Sequence, residues 1–143
     1  MNASKLLLSI TASPGVKALT ITAGDKALAV HMYAKSSYVA VVTRNTECKI
    51  DDETLRKVAW LLVKLMDRVG KAVKSRYYTY TGPLEIKGDV IKYTPYISPT
   101  STAEIVMSGG RAIVIVGEFR KKYRTGVEVA EILKKYIEYL EMC

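Results

Sequence analysis

Glutamine is absent from this chain of 143 residues, and asparagine occurs only at Asn2 and Asn45. Such a shortage of thermolabile amides points to a heat-adapted source. Histidine is nearly as scarce, so any Ser-His-Asp arrangement would have to use His31, the one imidazole. Its place among tyrosines in a β-rich run suits a sheet-surface or stacking role better. Cys48 and Cys143, the two cysteines, are too few and too far apart for a secreted disulfide framework or a zinc site. They are read as free thiols, with a disulfide as the alternative that some heat-adapted cytosolic proteins use. The one signal-like stretch, Lys5 followed by Leu6 to Ile10, is short and broken by Ser9. No apolar run reaches the length that spans a bilayer. The expectation is a cytoplasmic protein with no cofactor, no metal and no membrane partner, and not an enzyme.

What the chain has in excess is positive charge. Lys and Arg number 22 against 14 Asp and Glu, a formal net charge of +8. That balance favours polyanionic partners. The excess sits in the first part of the chain: residues 1–82 carry 13 basic and 6 acidic side chains, residues 83–143 carry 9 and 8. Aromatic chemistry is skewed as well, with ten Tyr, one Trp and a single Phe. A core-filling programme uses Phe, whereas Tyr supplies a ring face with a polar rim, suited to half-exposed sheets and to splayed-out bases.

Length and composition predict a single domain over residues 1–143, with two structural halves, 1–76 and 77–143, as a finer division. Residues 5–12, 16–22, 26–33 and 37–43 read as strands, separated by turn chemistry at Ser13-Pro14-Gly15 and Ala23-Gly24-Asp25. In the third hairpin a loop at residues 34–37 would pair Tyr33 with Tyr38 and His31 with Ala40. In the first, Leu6, Leu8 and Ile10 would face Thr22, Thr20 and Ala18, a mismatch that calls for a bulge or another register. Asp51-Asp52-Glu53 opens a helix running to about Ser75, and capping is a simpler account of these acids than a cation site. Its periodicity places Val58, Leu61, Leu62, Leu65, Val69, Ala72 and Val73 on one face. Lys57, Lys64, Arg68 and Lys71 form a basic stripe opposite, and Trp60 beside it either stacks in the open or marks a second buried contact. Residues 76–80 read as strand or linker. Hairpins follow over 84–94, with Glu85 paired to Lys92, and over 103–117, with 95–102 as a loop between them. Gly109-Gly110-Arg111 joins two strands and lacks the context of a phosphate-binding loop. A second amphipathic helix covers 127–142. Its Val129, Leu133, Tyr136, Leu140 and Cys143 either zip two chains together or pack on the protein's own sheet.

The elements predict an α+β fold, antiparallel sheets backed by two helices in the order ββββα-ββββα. This order resembles Whirly proteins, PUR-repeat proteins and coactivators of the positive-cofactor-four type. The basic, tyrosine-rich strands and the C-terminal helix are also similar to the ThermoDBP family of single-strand DNA-binding proteins from heat-adapted archaea. The strands carry no Lys-Gly-Lys-Ala-type signature, and no functional residue is carried over. What the resemblance implies is a homo-oligomer that holds single-stranded nucleic acid against sheet edges and faces.

Two regions combine cations for phosphates with rings for bases. The first is Tyr33, Lys35, Tyr38 and Arg44 together with Arg76, Tyr77, Tyr78 and Tyr80. The second is Arg120, Lys121, Lys122 and Arg124 around Tyr123, read as a segment between the last strand and the last helix. The expected function is salt-sensitive binding of single-stranded DNA or RNA with little base specificity. Replacing Tyr78 or Tyr80 by Ala should then weaken binding without unfolding the protein. The alternative is a structural or regulatory oligomerisation module that binds an acidic protein.

Overall fold

The first turn fixes the register of the first hairpin. Pro14 locks its own φ and Gly15 adopts the left-handed region at φ 80°, a combination suited to a two-residue connection. Ser13 therefore sits opposite Val16, and β1 (Leu6–Ser13) pairs with β2 (Val16–Ala23) so that Leu8 faces Ile21 and Ile10 faces Leu19. This register differs by one residue from the sequence-based pairing, and the shift removes the mismatch: apolar side chains now meet apolar side chains on one face.

The computed structural model describes residues 5–33, 37–42, 47–49 and 53–142. After β2 the chain continues through β3 (Lys26–Tyr33), β4 (Ser37–Val42), β5 (Glu47–Lys49) and helix α1 (Glu53–Ala72). The second half comprises β6 (Tyr78–Lys87), β7 (Val90–Tyr93), β8 (Tyr96–Ser98), β9 (Ser101–Ser108), β10 (Arg111–Val116), β11 (Phe119–Arg124) and helix α2 (Val129–Met142). The fold is thus α+β with antiparallel strands and two helices, but the order only approximates two sets of four strands. β5 and β8 are short strands that carry little periodic signal. Of residues 76–80, read as strand or linker, Tyr78 to Tyr80 are strand and run on with residues 81–87 as the single strand β6. Arg120 to Arg124, expected between the last strand and the last helix, belong to the strand β11.

All the described strands join one antiparallel sheet in the order β11-β10-β9-β7-β6-β1-β2-β3-β4-β5, with β8 added beside β9. The opening strands of the two halves, β1 and β6, pair along the middle, Ile10 opposite Tyr80 and Leu6 opposite Leu84. Each half then spreads outward to its own edge. In the β3–β4 hairpin His31 lies opposite Tyr38 and Ala29 opposite Ala40. That is two residues from the expected pairing, an even shift that leaves the alternation of the pairing unchanged. Glu85 does pair with Lys92, yet the ion pair forms with a different strand: Lys92 Nζ lies 3.8 Å from Glu104.

Burial alternates along the strands and so defines one core side. Leu6, Leu8, Ile10, Leu19, Ile21, Leu28, Val30, Met32, Tyr78, Tyr80, Tyr93, Ile105, Met107 and Val114 are buried together with residues of both helices in one cluster. α1 touches β1, β2, β3 and β10, whereas α2 touches β3, β9 and α1. Each helix therefore packs on strands of both halves. This double coverage explains why Ala59, Val63 and Met66 are buried beside the expected Val58, Leu62, Leu65 and Val69. Each buried Val, Leu or Met among these contributes roughly 1.5 to 3 kcal/mol through burial. At Gly82 in β6 the crossing chain comes so close that an added Cβ would overlap the Thr94 carbonyl. The Thr94 amide there donates to the Pro83 carbonyl at 3.1 Å.

Cys48 in β5 is disulfide-bonded, which corrects its reading as a free thiol. Cys143, the other cysteine of the chain, lies outside the described residues. Among the described residues no helix is long and apolar enough to cross a membrane.

Candidate nucleic-acid interface

The solvent side of α1 follows directly from its composition. Between Thr54 and Tyr77 the sequence has seven basic residues, Arg56, Lys57, Lys64, Arg68, Lys71, Lys74 and Arg76, and one acid, Asp67. Lys57, Lys64, Arg68 and Lys71 are exposed, as their helical spacing requires once the apolar face is turned to the core. The acid is already engaged: the Tyr78 hydroxyl donates to Asp67 Oδ1 at 2.6 Å, and Lys17 Nζ stands 3.6 Å from Oδ2.

The end of α1 shapes a cleft. The Ser75 amide donates to the Gly70 carbonyl at 2.7 Å and the Lys74 amide to the Lys71 carbonyl at 3.2 Å. These paired bonds form a Schellman cap, in which the residue after the last helical turn takes the left-handed region. That residue is Lys74, at φ 60° the only non-glycine of positive φ among the described residues. A glycine would adopt this conformation without the roughly 1 to 2 kcal/mol penalty of a side chain. The cap satisfies carbonyls that would otherwise project negative charge into the cleft. Beyond it Ser75 Oγ donates to the Tyr77 carbonyl at 2.9 Å and steadies the turn into β6. The result is a cavity of about 650 Å³ lined by Lys17, Lys71, Lys74, Arg76 and Tyr77, with the Pro14–Gly15 turn as its opposite wall. A smaller cavity of about 220 Å³, lined by Lys64, Asp67, Arg68 and Lys71, adjoins it and shares two of its residues.

Aromatic rings flank the same surface, each beside a cation. Lys17 Nζ lies 6.0 Å from the Trp60 ring, Arg76 lies 5.3 Å from Tyr77, and Tyr123 has Arg68 at 5.8 Å and Lys121 at 5.5 Å. Trp60 is 39% and Tyr77 49% exposed. Of the two readings for Trp60, the open one holds.

The structure divides the two regions expected from the sequence. Arg76 and Tyr77 line the cleft. Tyr78 and Tyr80 do not: both are 8% exposed, their rings stacked on each other with centroids 4.8 Å apart. They belong to the core, so their role as stacking surfaces for bases is corrected; even spacing within β6 sends both rings to the helix side. The backbones of Tyr33 and Tyr38 lie in β3 and β4, Tyr33 opposite Val16 beside the Pro14–Gly15 turn. Lys35 and Arg44 lie outside the described residues.

The second region is split by the alternation of β11. Tyr123 and Lys121 pair with the buried Ala112 and Val114 and so share the helix side of the sheet. Arg120, Lys122 and Arg124 occupy the reverse side. Sequence reasoning left Lys17, Trp60 and Lys74 out of the site. The Trp60, Lys64, Arg68 spacing signals a stripe, but Lys17 reaches it only through the packing of β2 on α1, for which no local pattern exists. Compared with protein-family models, curated proteins and solved structures, the chain matches none of them.

Proposed function

We propose that the protein binds single-stranded nucleic acid along the solvent side of α1, with the cleft at the helix end and the β11 edge as the two ends of one track. The observation that carries this reading is the coincidence of rings and cations: Trp60, Tyr77 and Tyr123 each stand beside Lys or Arg on the same basic surface. Cations neutralise phosphates without reading sequence, and exposed rings stack on any base. A duplex hides its bases from such rings, so the combination favours single strands.

The sheet contributes its rigidity rather than its tyrosines, since Tyr78 and Tyr80 support the core beneath the track. Of the two readings of α2, packing on the protein's own sheet holds, because Val129, Leu133, Tyr136 and Leu140 are buried in the core; the homo-oligomer of the proposal therefore uses another surface.

Fluorescence anisotropy of labelled single- and double-stranded oligonucleotides at low and moderate salt tests it. Binding that prefers single strands and weakens with salt is expected. Equal affinity for both forms would reduce the site to bare charge. No binding at all would point to an acidic protein partner instead.

A further inference from the structure

The track does not have equivalent ends. The helix end holds a cleft lined by Ala12–Gly15 of the first turn, by Asp67, Lys71 and Lys74 of the α1 terminus, and by Ser75–Tyr77 of the linker. The smaller cavity over Lys64 and Arg68 leads into it through the shared Asp67 and Lys71. A strand lying along α1 would thus meet this recess at the helix end, an open cleft with a volume in the range that holds small ligands. The cleft also carries more charge than an internal phosphodiester needs. Lys17, Lys71, Lys74 and Arg76 against Asp67 leave a formal +3 among its lining residues. A phosphodiester carries one negative charge, a terminal phosphomonoester about 1.5 to 2 at neutral pH. Finally, Lys74 keeps a side chain in a backbone conformation that suits glycine. Strain held at one lysine of a basic cleft is the kind found where the side chain has work to do.

We infer that the cleft is an end pocket, which takes a terminal phosphomonoester of a single strand on Lys71, Lys74 and Arg76, with the last base against Tyr77. This inference rests on the single-strand reading and names the part of the strand that the cleft selects.

The test compares one labelled sequence in four forms: with a 5′-phosphate, with a 3′-phosphate, with hydroxyl ends, and closed into a circle. One phosphorylated form is expected to bind at least about fivefold more tightly than the circle, because a dianion gains charge-assisted hydrogen bonds that a diester lacks. Which of the two gains identifies the polarity of the strand. Lys74→Gly should reduce the ratio of phosphorylated to circular affinity to near one, while its melting temperature equals or exceeds that of the parent. Arg76→Ala should reduce the same ratio. A parent protein that binds circle and phosphorylated ends equally overturns the end pocket and leaves single-strand binding standing. Failure to bind any of the four forms overturns both.

Discussion

Tyr78 and Tyr80 show how one residue type serves two ends. Tyr77, next in sequence, faces solvent beside Arg76, while its two neighbours of even number stack in the core. Tyr80→Ala should therefore cost about 3 to 5 kcal/mol of stability, as large-to-small core replacements do. Tyr77→Ala should leave the melting temperature within a degree or two and weaken nucleic-acid binding. Thermal denaturation and anisotropy on the two variants separate these roles; a well-folded Tyr80→Ala protein with impaired binding would return that ring to the site. Burial, reinforced at Tyr78 by the hydrogen bond to Asp67, raises the hydroxyls of Tyr78 and Tyr93 well above the ordinary tyrosine value of 10.0. A raised value means that the folded state holds these protons more tightly than the unfolded one. The resulting stabilisation is complete below pH 10 and lost above it, by as much as about 1.4 kcal/mol per pH unit for each group. Denaturant midpoints measured from neutral pH to about pH 11 should fall only on the alkaline side, and Tyr78→Phe with Tyr93→Phe should flatten that fall.

Helix α1 unites the two faces of the protein, apolar toward both sheet halves and basic toward solvent. Reversing two charges of the stripe, Lys64→Glu with Arg68→Glu, should weaken single-strand binding and lower the slope of log affinity against log salt by about two, since each phosphate left unneutralised lowers it by roughly one. An unchanged slope would take the strand off this helix. The basic stripe, the core face of α2 and most strands were legible because each depends on a local period, whereas the core face of α1 was legible only in part: Val58, Leu62, Leu65 and Val69 are buried, but Ala72 is exposed and Ala59, Val63 and Met66 are buried outside the expected face. Registers were less legible: the Pro14–Gly15 turn decides the pairing of β1 with β2, and its two-residue form is invisible to a count of apolar residues. β11 escaped notice because Arg120-Lys121-Lys122 reads as solvated loop; only its place at the sheet edge makes a charged strand sensible, since charge blocks further strand pairing there. The cleft was illegible for a different reason, because Lys17, Lys74 and Tyr77 come together only when β2, the cap of α1 and the linker are packed.

The whole molecule is held by connections that cross between its halves. β1 pairs with β6, each helix touches strands of both halves, and Cys48 at the far edge is covalently tied. Peptide mapping without reductant is expected to recover Cys48 joined to Cys143, the other cysteine of the sequence. A loop of that length contributes roughly 4 to 5 kcal/mol in the chain-entropy model. Reduction, or Cys48→Ser, should then lower the melting temperature markedly, and an unchanged value would mean that the tie carries no stability.

The linker from Ser75 to Tyr77 is the covalent passage from one half to the other, and it forms one wall of the basic cleft. A ligand seated there would rest on β1 and β2, on the end of α1 and on the start of the second half at once. Occupancy would act as a clasp across the joint, so that a protease attacking the joint would meet it guarded only while the clasp is closed.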